Sequence, residues 1–244
     1  MHKVEALRIS KNYGDLDTLE DVSVYLDEGE FVAIVGPSGC GKSTLFNIIA
    51  GLHLPDEGQV LIDGADFTGR TGRVSYMHQK DLLLPWKTIL DNVCLPLVIK
   101  GLPWRQARVQ AASYFPAFGL GGFEQSYPAQ LSGGMRQRAA LLRTYLFASD
   151  IMLLDEPFGA LDAITRRKLQ FWLLSTLERY QASIFLITHD VDEALLLSDR
   201  IYVLSERPAR VKLELEVDLP RPRSESTVAL PRFIELKRHI LKLL

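Results

Sequence analysis

The sequence predicts an α/β protein with a mostly parallel sheet and a helical insertion. Three observations predict it. Short β-branched runs alternate with helical stretches along most of the chain, and a glycine-rich segment joins one such run directly to a helix. Between about residues 88 and 148 the texture changes to helical periods punctuated by Pro and Gly, after which the strand texture returns. Alternation of this kind implies right-handed crossovers between parallel strands.

In chain order, residues 4–9 and V-S-V-Y-L at 22–26 read as short strands, joined by the turn-rich K-N-Y-G-D-L-D. F-V-A-I-V at 31–35 is a continuous run of the kind that forms a strand buried on both faces. It feeds G-P-S-G-C-G-K-S-T, and L-F-N-I-I-A-G-L then reads as a helix stopped near Gly51. P-D-E-G at 55–58 turns the chain into a hairpin, Q-V-L-I-D-G, and R-V-S-Y-M at 73–77 is another strand. The helical block includes W-R-Q-A-R-V-Q-A-A-S-Y-F. I-M-L-L (151–154), I-F-L-I-T (184–188) and I-Y-V-L (201–204) resume the strands, with helices expected over 163–180 and 191–197. After Pro208 the tail is mixed: L-P-R-P-R at 219–223 reads as an extended linker, and 231–243 as a short helix. No internal repeat or low-complexity tract is visible.

Composition bounds the function. A chain of 244 residues fits one domain with a modest insertion, and a core of that size needs no staple. A net charge of −2 argues against binding nucleic acid through bulk charge. Cys40 and Cys94 offer neither metal spacing nor a disulfide framework and fit a reducing compartment. The N-terminus lacks the apolar core of a signal peptide, and no window approaches the ~20 apolar residues of a membrane span. Work at a membrane would therefore need another chain to bring this one there.

Gly36-Pro37-Ser38-Gly39-Cys40-Gly41-Lys42-Ser43-Thr44 matches G-x-x-x-x-G-K-[ST], between a buried strand and a helix. Its glycines let backbone N–H groups turn inward as an anion nest, and the helix N-terminus adds partial positive charge. Lys42 is expected to reach the β- and γ-phosphates, and the Ser43 hydroxyl to ligate Mg²⁺. A plain glycine-rich turn is the competing reading, which this context disfavours. Cys40 occupies a variable position of the motif, as a small residue or as a redox handle. The strand I-M-L-L ends in Asp155-Glu156, which puts carboxylates at the carboxyl edge of the sheet. Asp155 is expected to hold Mg²⁺, and Glu156 to accept a proton from an attacking water.

Leu131-Ser132-Gly133-Gly134-Met135-Arg136-Gln137-Arg138, two glycines and then a basic helix-like start, opens a second anion-nest geometry, although the chain has only one such lysine and one such Mg²⁺ hydroxyl. The economical reading is that Ser132, Gly133 and Gly134 complete the site of another copy. As a structural element, Ser132 is a helix N-cap in either case.

With these residues in place, the sequence resembles the ATP-binding subunit of an ABC transporter over nearly all of 4–207. The landmarks follow in order: Tyr13, the phosphate loop, Gln79, 131–135, Asp155-Glu156, Gly159-Ala160-Leu161-Asp162 and Thr188-His189-Asp190. The family motif ends in Gln where this chain has Met135, a change that leaves the Ser132–Gly134 nest intact. The resemblance implies a P-loop NTPase with a RecA-like, mostly parallel sheet, an N-terminal antiparallel β subdomain and an inserted α-helical subdomain. In these terms 1–244 is one domain, with 1–87 and 151–207 as nucleotide-binding core, 88–150 as helical subdomain and 208–244 as tail. The implied cofactors are ATP and Mg²⁺. Tyr13 would stack on adenine, and Gln79 would contact Mg²⁺ and the attacking water. His189 would bond the γ-phosphate and hold Glu156, and Asp162 would shape the dimer contact. Two ATPs would lie between two head-to-tail copies.

Residues 81–86, D-L-L-L-P-W, are unusually greasy for a loop, and core and docking face are the two explanations. The resemblance places a groove here for a short helix of an integral-membrane permease. Docking near Leu82–Trp86 is expected, with two of those five residues buried. L-L-P-W with T-I-L-D-N-V, S-E-R-P-A-R-V at 205–211 and L-P-R-P-R are similar to the nitrate/sulfonate/taurine importer branch, which includes thiamine-pyrimidine-precursor importers. That implies a peripheral subunit at the cytoplasmic face of the plasma membrane, served indirectly by an extracytoplasmic solute-binding protein. The tail ending at Leu244 is expected to carry no added regulatory domain. The rivals are an exporter ATPase, a soluble ABC ATPase such as the iron–sulfur assembly type, and an ordinary P-loop kinase or GTPase. The last would have no use for L-S-G-G-M.

Overall fold

The computed structural model describes residues 2–147, 149–180 and 182–244, with 175–180 as backbone only. Two sheets form. In the first, β1 (Val4–Tyr13) and β2 (Leu16–Leu26) pair antiparallel around a turn at Gly14, whose φ of +62° suits glycine. β4 (Glu57–Ile62) pairs with the other edge of β1, and β5 (Ala65–Asp66) closes the order β2-β1-β4-β5.

The expected turn K-N-Y-G-D-L-D is thus the tip of one long hairpin, with Lys11 opposite Leu19 and Tyr13 opposite Leu16. Only Val4, Ala6 and Ile9 on β1, and Leu19, Val22, Val24 and Leu26 on β2, bury apolar side chains. The ladder runs on past the core, where composition gives no sign of it.

The second sheet holds β3 (Phe31–Val35), β6 (Ser75–Met77), β7 (Ile151–Asp155), β8 (Ser183–Ile187), β9 (Arg200–Leu204) and β10 (Val211–Glu216). Its order is β10-β9-β3-β8-β7-β6, parallel throughout except for β10. Every residue of β3, β7, β8 and β9 is buried, as continuous apolar runs predict. β10 is a strand the tail was not expected to contain. Its V-K-L-E-L-E alternates half-buried and exposed positions, the pattern of an edge strand.

The helices are α1 (Lys42–Ile49), α2 (Ile89–Ile99), α3 (Trp104–Ala112), α4 (Gly133–Leu146), α5 (Ala163–Tyr180), α6 (Val191–Leu197) and α7 (Pro231–Leu241). Leu45, Phe46, Ile48 and Ile49 of α1 pack in one cluster with Val4 and Val24 of the first sheet and Val32, Ile34 and Phe185 of the second. The phosphate-loop helix is therefore the filling between the two sheets. A second cluster joins Val93, Ala107 and Leu142 of the helical block to Met77, Leu154 and Leu186 of the sheet. The third covers the opposite face of β3 and β9 with α6 and α7, through Leu195, Phe233, Leu236 and Ile240.

The segment expected as a linker, 219–223, is packed rather than free. Leu219 is buried, and Arg223 donates to the carbonyls of Leu195, Leu196 and Ser198 at the end of α6 and to Val217. A cation suits a helix C-terminus, even though burial pushes the Arg223 guanidinium down to about 10. Among the described residues no helix is long and apolar enough to cross a membrane.

Candidate functional site

The carboxyl ends of β3, β7 and β8 lie side by side, and the loops leaving them carry the polar chemistry. β3 runs into the loop of Gly36–Gly41 and then α1. Gly39 and Gly41 have φ of +77° and +126°, which admit glycine at little cost. A Cβ on Gly41 would stand 2.8 Å from Leu19 Cδ2, so close packing on β2 demands the glycine as well. No side chain caps α1 at Gly41, which leaves its first N–H groups pointing into the loop. Lys42, buried at the base, donates from Nζ to Gly36 O (2.7 Å) and Pro37 O (2.8 Å).

At the end of β7, Asp155 is buried, and desolvation pushes its carboxyl above the usual range. The Ser43 hydroxyl of α1 hydrogen-bonds to it and Lys42 lies near, both pulling the other way. A hydroxyl and a carboxylate side by side are hard oxygen donors, and that donor set fits Mg²⁺. The uncapped α1 and the glycine nest fit a polyphosphate.

Glu156 follows in the left-handed region at φ +49°, unusual for a residue with a Cβ. Its N–H is fastened to Ile187 O (2.9 Å) at the end of β8. That twist throws its carboxylate between two neighbours. Gln79, two residues past β6, donates from Nε2 to Oε2 at 3.3 Å, and His189 Nδ1 stands 3.3 Å from Oε1. Asp190 then caps α6 by accepting from Asp192 N and Glu193 N, and its own N–H donates to Thr188 Oγ1.

Gln79, Asp155, Glu156 and His189 thus converge with the phosphate loop. Tyr13 lies at the end of β1, its hydroxyl 2.9 Å from His53 Nδ1 and its ring half-exposed. Asp162 caps the start of α5, accepting from Thr165 N at 3.0 Å, and this bond holds its carboxyl below the usual range. Ser132 caps α4 by accepting from Met135 N. Among the described residues no hydrogen bond or ion pair joins Ser132–Gly134 to Gly36–Thr44. The second glycine turn packs instead on Ala160 and Leu161, which a Cβ on Gly134 would meet at 3.2 and 3.1 Å.

A family model described as ABC transporter matches residues 19–159. The chain belongs to the ABC transporter family. It is 44% identical over 228 residues to a formylaminopyrimidine import ATP-binding protein of Halalkalibacterium halodurans, covering 93% of this chain and 89% of that one. An aliphatic sulfonates import ATP-binding protein of Bacillus cereus is 40% identical over 233 residues, 96% and 90% of the two chains. Among solved structures, a dimeric bacterial ABC transporter cassette matches with TM-score 0.81 and 33% identity over 88% of this chain and 98% of that one. A post-hydrolysis state of an ATP-binding cassette bound to ADP and Pi matches with TM-score 0.80 and 32% identity over the same shares. This ABC ATPase therefore has the nucleotide-binding, ATP-hydrolysing fold that its motifs imply.

Further residues of the site lie outside the set expected from the sequence. Gln137 on α4 donates to Glu156 O (2.8 Å) and accepts from Ala160 N (2.9 Å). Arg143, also on α4, donates to Asp81 O (2.7 Å) and Leu82 O (2.8 Å), just past Gln79. The buried Asn92 amide braces the same loop, accepting from Leu84 N and donating to the carbonyls of Leu84, Lys87 and Thr88. In that loop Leu83 alone is buried and Leu84 is half-buried, where two buried residues were expected. Leu82 is 52% and Trp86 70% exposed. The arginine and asparagine grips hold the backbone with Leu82 and Trp86 facing outward and Leu83 facing the core.

Proposed function

We propose that this chain is the ATPase of an importer, hydrolysing Mg²⁺-ATP as a head-to-tail homodimer beneath a membrane permease. Lys42 and the Gly36–Thr44 nest hold the polyphosphate, Ser43, Asp155 and Gln79 hold Mg²⁺, and Tyr13 stacks on the base. Glu156 takes the proton of the attacking water while His189 and Gln79 hold its carboxylate. Ser132, Gly133 and Gly134 of one copy close over the nucleotide of the other, with Asp162 at the contact. The helical block 88–150 and the core 1–87 with 151–207 act as two parts of one domain, and 208–244 braces the core.

The observation that carries this reading is the grip of Arg143 on Asp81 and Leu82. It ties the exposed Leu82–Trp86 face, beside Gln79, to the helix that begins at Ser132. A permease helix docked on Leu82 and Trp86 would thereby be joined to both nucleotide elements. The import names of the sulfonate and formylaminopyrimidine relatives support uptake of a small nutrient of that kind. They also support peripheral attachment at the cytoplasmic face, with an extracytoplasmic binding protein acting through the permease.

The test is capture of the tagged chain from native membranes in mild detergent, with mass spectrometry of its companions. A polytopic permease, encoded or recovered with a soluble extracytoplasmic binding protein, is the expected result. A permease without any such binding protein would make it an exporter ATPase, and soluble companions alone would overturn transport.

A further inference from the structure

We infer that Gln137 is a positioning residue that makes the catalytic turn and the Ser132 helix start move as one body, and so links the two nucleotide sites of the dimer. The inference rests on the head-to-tail reading above.

The geometry is a double hydrogen bond from one side chain. Nε2 donates to Glu156 O at 2.8 Å and Oε1 accepts from Ala160 N at 2.9 Å, so a single amide spans the turn between the catalytic carboxylate and Asp162. The turn is otherwise held by Gly159 N to Glu156 O (3.3 Å) and Leu161 N to Phe158 O (3.1 Å). Glu156 is in the left-handed region there, a conformation that persists only where its surroundings fix it. Gln137 is 7% exposed and fixed one turn into α4, whose N-cap is Ser132.

A separate contact points the same way. A Cβ on Gly134 would come within 3.1 Å of Leu161 Cδ2 and 3.2 Å of Ala160 O, so the second glycine of the motif already touches the turn that Gln137 holds. Packing prevents the two from closing further, and the amide prevents them from separating. Any displacement of Ser132–Gly134 is then carried into Glu156 of the same chain.

The two ends of this unit serve different nucleotides. Ser132–Gly134 faces the ATP of the partner, whereas Glu156 acts on the chain's own. The arrival of the partner's nucleotide at the first end thus sets the carboxylate at the second. Coupling of this kind makes hydrolysis cooperative in ATP, with a Hill coefficient approaching the number of sites.

The test compares the full-length wild-type chain with Gln137→Leu and Gln137→Glu, measuring ATP hydrolysis against Mg²⁺-ATP concentration and ATP affinity by equilibrium binding. The leucine variant removes both hydrogen bonds. The glutamate variant keeps the acceptor facing Ala160 N and loses the donor facing Glu156 O. For Gln137→Leu, kcat is expected to fall about tenfold or more with ATP affinity changed less than about threefold, and the Hill coefficient to fall from about 2 to about 1. Gln137→Glu should lie between the two. A lower kcat with an unchanged Hill coefficient would overturn the linkage, leaving Gln137 a packing residue. So would a parallel loss of affinity, rate and melting temperature. ATP-dependent dimerisation of a Glu156→Gln chain, which keeps Gln137, is followed alongside by light scattering. Failure there brings down the head-to-tail reading itself, and the inference with it.

Discussion

His189 Nδ1 and Glu156 Oε1 stand 3.3 Å apart across the ends of β8 and β7, while Gln79 donates to the other carboxylate oxygen. The carboxylate is held from two sides, which on the proposed mechanism leaves little reorganisation for the reaction itself. Glu156→Gln keeps this geometry and, on the proposed mechanism, removes the proton acceptor. Hydrolysis should fall by about 10²–10³-fold, with ATP affinity little changed and an ATP-dependent dimer accumulating in size-exclusion chromatography. His189→Ala should lower kcat while leaving ATP affinity within a few fold, as seen in steady-state assays and equilibrium binding.

Trp86 and Leu83 lie three residues apart with opposite surroundings, 70% and 8% exposed. Leu83→Ala should cost roughly 2–4 kcal/mol of stability, because its side chain belongs to the core of the helical block. Trp86→Ala should change stability by no more than about 0.5 kcal/mol. It should leave ATP binding intact and release the chain from captured permease. Urea denaturation of both variants separates the effects, and equal destabilisation would make Trp86 a core residue.

Arg223 fastens the tail to the last turn of α6 through buried carbonyls. Arg223→Ala leaves those acceptors unsatisfied, at a cost of roughly 2–4 kcal/mol. Thermal unfolding should show it as a melting temperature lower by several degrees. Truncation after Val217 should do more damage, since it uncovers the face of β3 and β9 that Phe233, Leu236 and Ile240 cover.

Asp150 accepts from Arg73 and pairs with Lys3, and the Arg73 hydrogen bond holds its carboxyl well below the usual carboxylate range. A folded-state pKa below the unfolded value adds stability above the unfolded value of about 3.9 and loses it as pH falls through the folded one. Asp150 is partly exposed, so screening limits its share to about 1 kcal/mol or less. Asp150→Asn should lower stability by that amount at neutral pH. The difference from wild type should close as the pH drops below about 4, measured by urea denaturation across pH.

Where the chain repeats a local rule, the fold was legible. β3, β7, β8 and β9 are short apolar runs buried on both faces, and Gly36–Thr44 runs from β3 into α1 as its strand-loop-helix pattern predicts. The hairpin tip at 11–17 looks like a turn in sequence because hydrogen bonding continues there without burial to mark it. β10 is not legible because alternating Val, Leu, Lys and Glu beside proline-rich sequence also describes a tail. The packing of 219–223 depends on Arg223 finding carbonyls at Leu195–Ser198, 25–28 residues earlier in the chain. Gln137 meets partners 19 and 23 residues downstream, and no sequence window joins them.

Lys42 brings a further consequence. Its ammonium group is already out of solvent and satisfied by two carbonyls of the loop it serves. On the proposed reading, nucleotide capture involves no fresh dehydration of that cation, only a change of partners from carbonyl to phosphate. The loop carbonyls and an incoming phosphate would then compete for one ammonium. The loop's affinity for a bare anion should be held down by those internal bonds, and a polyphosphate that can also engage the α1 amides is what displaces them.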